Sequence, residues 1–213
     1  MSQVVVIDYG MGNLKSVHRG LEKVGADVLI TSDPDKIASA ERLILPGVGA
    51  FDDGMKGLAD TGVIPSINEF VQTGRPLMGI CLGMQMLLSK SEEHGIHQGL
   101  NFIPGTVKKI PSHDGDIFRR KIPHIGWSAL RLSASSDHWN ETMLSATNEG
   151  EYFYFVHSYM AVTESDSDVI AECEYDGQRI TAVVHKDNII GMQFHPEKSC
   201  GSGLCILKQF IST

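Results

Sequence analysis

Three residues carry the most explicit chemistry in the sequence. Cys81 sits in Gly79-Ile80-Cys81-Leu82-Gly83, a G-x-C-x-G run after an apolar stretch. Between the end of a strand and the start of a helix, that pattern is the cysteine form of a nucleophile elbow. The glycines let the chain turn sharply and let neighbouring backbone come close, and the nucleophile stands exposed at the turn. A helix N-terminus behind the sulfur lowers a thiol pKa, and the Leu82 backbone N–H is placed to face an oxyanion. The other two residues are His195 and Glu197, in Gln193-Phe194-His195-Pro196-Glu197-Lys198-Ser199. Two positions apart on extended backbone, their side chains project to one side. The imidazole can then take the thiol proton, and the carboxylate can orient it and stabilise its cationic form. Taken singly, Cys81 also reads as a small core thiol and His-Pro-Glu as a charged surface turn; the two segments together carry the catalytic reading.

The elements that must position them alternate. Residues 4–7 are Val-Val-Val-Ile, a β-branched run expected to form a strand buried on both faces. Leu14, Val17, Leu21 and Val24 recur at helical spacing, with Asn13 as a candidate N-cap and Gly25 as the stop. Residues 27–31 read as a second strand, and Asp33-Pro34 as an N-cap with proline at the first helical position. Residues 42–45 and 76–80 read as further strands, and 64–71 and 84–88 as helices. The expectation is an α/β fold: a mostly parallel central sheet with helices on both faces, flavodoxin-like, plus an antiparallel, hairpin-rich C-terminal half. That half is read from strands at 169–175 and 178–185 around Asp176-Gly177, a strand at 189–194 and a closing helix at 204–211. In such sheets ligands bind at the carboxyl ends of the strands, the edge where Asn13, Gly49 and Cys81 all fall. The polar stretch 132–150 is expected to be a mobile loop.

At 213 residues the chain has the length of one domain, read as 1–213, with no room for a second catalytic unit. Eighteen basic against 26 acidic residues give a net charge of -8, which argues against nucleic-acid and anionic-membrane partners. The basic cluster Lys108, Lys109, Arg119, Arg120 and Lys121 reads as a solvated loop face. No apolar run approaches the roughly 18 residues of a membrane span, and no signal peptide is visible. Four cysteines without a C-x-x-C pair fit a thiol-reduced, cytoplasmic protein. Gly10-Met11-Gly12-Asn13 is too short for a dinucleotide fingerprint and lacks a P-loop lysine. Glu92, Glu93, His94 and His97 read as solvated loop residues rather than a metal site, so no metal and no cofactor are expected.

The elbow and the His-Pro-Glu segment together resemble the class I (triad) glutamine amidotransferases. Pro46-Gly47-Val48-Gly49 resembles that family's oxyanion strand. Asp8-Tyr9-Gly10-Met11-Gly12-Asn13, Pro123-His124-Ile125-Gly126-Trp127 and Phe155-Val156-His157-Ser158-Tyr159 narrow the likeness to the glutaminase subunits of imidazole glycerol phosphate synthases, from histidine biosynthesis. The resemblance spans essentially the whole chain. It implies that Cys81, His195 and Glu197 form the triad that hydrolyses glutamine through a thioester. It implies an oxyanion hole from Gly47, Val48, Gly49 and Leu82, and a glutamine site from Gly49, Gln85, His157 and Ser158. It further implies a heterodimer with a (β/α)-barrel cyclase that receives the ammonia, with Asn13, Trp127 and Lys198 toward that partner.

The sequence departs from the pattern at Ser128, where the family usually has Asn after Gly-Trp. Position 128 and the 132–150 stretch are both expected near the partner face. Relatives of this glutaminase also serve sugar amidotransferases of surface-polysaccharide pathways, which is the alternative partner. Cysteine-elbow proteins of the stress-protein and peptidase-like type lack the late His-Pro-Glu segment.

Overall fold

A computed structural model describes residues 3–114, 118–136, 138–140 and 142–213. The first half alternates as expected: β1 (Gln3–Ile7), α1 (Leu14–Lys23), β2 (Asp27–Thr31), α2 (Pro34–Ser39), β3 (Leu43–Leu45), α3 (Phe51–Asp60), α4 (Ile64–Gln72), β4 (Leu77–Ile80) and α5 (Leu82–Met86). The middle is strand-rich: β5 (Leu88–Ser91), β6 (His97–Gln98), β7 (Ile103–Lys109), β8 (His113–Asp114), β9 (Phe118–Arg119), β10 (His124–Ala129), β11 (Arg131–Leu132), β12 (Tyr152–His157) and β13 (Tyr159–Thr163). The hairpin β14 (Val169–Tyr175) and β15 (Gln178–Lys186), then β16 (Ile189–Met192) and α6 (Cys200–Ser212), complete the chain.

The main sheet runs β11-β14-β15-β16-β4-β3-β1-β2. Strands β2, β1, β3, β4 and β16 are mutually parallel, and β15, β14 and β11 continue antiparallel. Alternate residues of β1 divide between two cores. Val4 and Val6 pack with Leu21, Leu207 and Phe210 of α1 and α6, while Val5 and Ile7 pack with Ile37, Leu58 and Ile67 of α2, α3 and α4. A sheet covered by helices on both faces explains why its strands read as continuous apolar runs rather than alternating ones.

β16 joins the parallel set rather than the antiparallel half expected from the sequence. It lies beside β4 with Met192 opposite Ile80. The residues after both strands, Cys81 and Gln193 to His195, therefore emerge at the same carboxyl edge. The 132–150 stretch is also different from the expected mobile loop. Trp139 and Leu144 are buried in the α1–α6 core, and the Trp139 indole N–H donates to the Ile170 carbonyl over 2.8 Å. Thr142, Met143 and Ser145 line a hollow with Gly74, Pro76 and Ile189, at the amino ends of β4 and β16. That is the sheet edge opposite Cys81. The basic cluster is not uniformly a solvated face: Arg120 is buried, and its guanidinium donates to the carbonyls of Pro111, Tyr175 and Asp176. The side chain of Arg119 lies outside the described residues.

Candidate active site

Cys81 joins β4 to α5 with φ +54° and ψ -108°, a conformation that L residues rarely adopt and that a strained elbow requires. The glycine after next is compulsory for packing: a Cβ on Gly83 would fall 1.8 Å from the Leu45 carbonyl oxygen. The helix starts at Leu82, two residues before the expected 84, and spans five residues.

His195 and Glu197 meet, though not on extended backbone. Pro196–Lys198 is a 3₁₀ turn, and the turn brings Glu197 Oε1 to 2.8 Å from His195 Nδ1. A carboxylate oxygen only accepts, so Nδ1 carries the hydrogen and Nε2 is left for another partner. Both side chains are withdrawn from solvent, at 2% and 0% exposure. Burial opposes protonation of His195, but the adjacent Cys81 and Glu197 outweigh it and raise its pKa from 6.5 to about 9. The turn is fastened at its base: the His195 N–H donates to the Tyr154 carbonyl, and the Ser199 hydroxyl donates to the His195 carbonyl over 2.7 Å.

The Gly47–Gly49 loop runs beside the sulfur. The Leu82 N–H, expected to face an oxyanion, donates instead to the Gly47 carbonyl over 3.3 Å. Gly49 has φ +110°, where the loop reverses toward α3. The loop is tied at both ends. The Tyr9 hydroxyl donates to the Pro46 carbonyl over 2.6 Å, and Glu93 Oε2 accepts from the Phe51 N–H over 2.8 Å.

A cavity of about 350 Å³ opens here, lined by Val48, Gly49, Cys81, Leu82, Gln85, Glu93, His157 and Ser158. It brings together Cys81, Val48, Gly49 and Leu82 of the expected oxyanion hole and the whole expected glutamine set; Gly47 does not line it. Glu93 was missed by sequence reasoning, which placed it in a solvated loop. Its signal was present in the Glu92-Glu93 pair itself, but nothing local says that a carboxylate six residues past Leu87 folds back onto α3. His97 likewise is engaged, with Nδ1 3.0 Å from Asp52 Oδ1.

Behind the cavity the polar groups form an ordered chain. His157 Nδ1 lies 2.7 Å from the Tyr159 carbonyl, which only accepts, so Nδ1 donates. Burial depresses the His157 pKa to about 3 and the His124 pKa to about 4, so both rings are neutral near pH 7. His157 Nε2 must then accept, and His124 Nδ1 donates to it over 3.0 Å. His124 Nε2 accepts from the Ser128 hydroxyl over 2.9 Å. Ser128 therefore points inward, not onto the partner face. On β10 it is Ile125 and Trp127, 57% and 47% exposed, that point out.

That outward face includes Tyr152 and Tyr154 of β12, paired antiparallel with β10. The Trp127 and Tyr154 rings meet edge to face at 6.0 Å, and Lys198 Nζ lies 6.0 Å from the Tyr154 centroid. Trp127 and Lys198 thus share one surface. Asn13 follows β1 at the same carboxyl edge and takes the N-cap position of α1 without a side-chain capping bond. Among the described residues no helix is long and apolar enough to cross a membrane, and no three His, Cys, Asp or Glu side chains are grouped to hold a metal.

The model of the family "Glutamine amidotransferase class-I" matches residues 5–212. The imidazole glycerol phosphate synthase subunit HisH 1 of Legionella pneumophila strain Lens is 49% identical, over 99% of each chain. The HisH subunit of Syntrophotalea carbinolica is 46% identical over 97% of this chain and 98% of its own. Among solved structures, PurLQS from Thermotoga maritima superposes with a TM-score of 0.70 at 23% identity, covering 99% of this chain and 97% of that one. A glutamine amidotransferase from the same organism gives 0.59 at 17% identity, over 92% and 76%. These two share the fold. With a family match over almost its whole length and full-length HisH relatives, the chain belongs to the class I glutamine amidotransferases and groups with their HisH subunits.

Proposed function

We propose that this glutamine-hydrolysing enzyme is the ammonia-supplying subunit of an imidazole glycerol phosphate synthase, with residues 1–213 as one glutaminase domain working in the cytoplasm. The observation that carries the reading is the convergence of the Cys81 elbow and the His195–Glu197 pair at one sheet edge, with Cys81 in the wall of a cavity of amino-acid size.

His195 Nε2 takes the thiol proton, and Cys81 Sγ attacks the carboxamide carbon of glutamine. The oxygen becomes an oxyanion, held by the Leu82 N–H and a turned peptide of Gly47, Val48 and Gly49. Collapse expels ammonia, protonated from His195, and leaves a glutamyl thioester. Water, deprotonated by the same imidazole, then releases glutamate. Glu197 holds the ring and its charge through Nδ1. Gln85, Glu93, His157 and Ser158 bind the substrate. Glu93 is the carboxylate of the cavity lining, so it supplies the charge complement for the glutamine ammonium.

Ammonia must not reach water, where it becomes non-nucleophilic ammonium. It passes to a (β/α)-barrel cyclase, docked as a heterodimer on Trp127, Lys198 and Asn13, which makes imidazole glycerol phosphate and an aminoimidazole carboxamide ribotide. Affinity capture from the source cells tests this. Recovery of the barrel cyclase supports it; recovery of a sugar amidotransferase in its place overturns the pathway assignment while leaving the glutaminase.

A further inference from the structure

Gln193 is completely buried and does not line the glutamine cavity. It sits between β16 and His195, yet its side chain turns toward β4. Its Nε2 lies 3.7 Å from Cys81 Sγ, and its Oε1 lies 2.9 Å from Gln85 Nε2.

A carboxamide could be turned the other way, so its neighbours decide its orientation. The Tyr159 carbonyl can only accept. Gln85 approaches that oxygen at 3.0 Å, so the approaching atom is its NH₂ nitrogen. The same nitrogen has a second hydrogen, and Gln193 is the group it meets. Gln193 must present its oxygen there. Its NH₂ group is then turned toward Cys81. A backbone carbonyl thus fixes the first amide, the first amide fixes the second, and the second directs an N–H at the sulfur.

We propose that Gln193 is a further catalytic residue, whose carboxamide N–H donates to Cys81 Sγ and stabilises the thiolate that attacks the substrate. The proton lost from sulfur goes to His195 Nε2, and Gln193 exchanges none. The role follows from sign. A donor favours the charged form of an acceptor, and a thiolate accepts more strongly than a thiol. Val156 O, 3.9 Å from Sγ, is an acceptor and serves only the protonated thiol. His195 beside the sulfur favours the thiolate as a charge partner, and Gln193 adds a fixed donor to it. Gln85 is a positioning residue for it, in addition to lining the cavity.

The proposal rests on Cys81 being the nucleophile, so the test reads the sulfur directly and not turnover. The full chain is titrated with iodoacetamide from acid to alkaline pH. Alkylation is followed on the Cys81 peptide by mass spectrometry, because Cys200 and Cys205 are exposed thiols, whereas Cys81 is buried at the cavity wall rather than exposed at the turn as expected from the sequence. Gln193→Met keeps length and removes the donor. Its acid-limb midpoint should rise by about one pH unit, with about tenfold slower alkylation on that limb. Gln85→Met, which frees Gln193 to turn, should shift the midpoint the same way by less. Gln193→Glu accepts where glutamine donates and serves if the methionine variant does not fold; its midpoint should rise further. Circular dichroism checks the fold of each. An unchanged or lowered midpoint in a folded Gln193 variant overturns the proposal. Cys81→Ala that still hydrolyses glutamine would instead overturn the nucleophile assignment beneath it.

Discussion

The backbone N–H of Leu82 donates to the carbonyl oxygen of Gly47 across 3.3 Å. The donor that an oxyanion needs is therefore occupied by a carbonyl of the oxyanion strand itself. Release requires the 47–49 backbone to turn, and Gly49 at φ +110° gives it that freedom. The turn is confined, because Tyr9 holds Pro46 and Glu93 holds Phe51 on either side. The isolated chain is expected to hydrolyse glutamine about 100-fold more slowly than the chain with cyclase and its ligand, the usual consequence of a missing oxyanion donor. Steady-state glutamate release measures it, and equal rates would contradict it.

The His195–Glu197 pair makes stability depend on pH. The His195 pKa is raised from 6.5 to about 9 on folding, by Cys81 and Glu197 against burial. Such a shift stabilises the fold fully below 6.5, and the contribution disappears as pH rises through about 9. Glu197→Gln removes one of the two groups that raise it. The variant should be destabilised more at about pH 6 than at about pH 10, read from urea midpoints at the two values. A constant gap would show that the two residues do not share a proton-linked bond.

Ser128→Ala leaves His124 Nε2 without its donor in a buried place. The expected loss is about 1–3 kcal/mol of unfolding free energy. Ser128→Asn offers an N–H to the same nitrogen and should recover part of it. Chemical denaturation of the three proteins decides.

Trp127 is half exposed and lies on a ribbon face with Ile125 and Tyr152. Trp127→Ala should leave the isolated fold within about 0.5 kcal/mol. It should weaken cyclase binding by about 30-fold or more, as central interface tryptophans do. Calorimetric titration separates this from a surface that does not dock, where affinity would not change.

Local chemistry was legible in the sequence. The Cys81 elbow depends on glycines within two residues of it, and the two-faced strand β1 on four consecutive β-branched residues. Both are decided by near neighbours. Pairing was not legible. Nothing within Ile189–Met192 says that it lies parallel beside β4, although that register is what delivers His195 to Cys81. Helix α3 (Phe51–Asp60) escaped notice because Gly54 and Gly57 dilute its pattern; there a Cβ would meet Met86 or the Tyr9 carbonyl. The 132–150 stretch reads as polar because, after Leu132, only Trp139, Met143 and Leu144 interrupt it with large apolar side chains, and Trp139 and Leu144 anchor it in the core. Ser128 was assigned to the partner face because its direction depends on the strand phase of β10, which places Trp127 out and Ser128 in.

The whole mechanism turns on the sulfur of Cys81. The decisive measurement compares glutamine-dependent with ammonia-dependent turnover of the assembled synthase carrying Cys81→Ala. Glutamine-dependent turnover is expected to disappear while ammonia-dependent turnover stays at the wild-type level. Glutamine-dependent turnover that survives the substitution would contradict a Cys81 nucleophile.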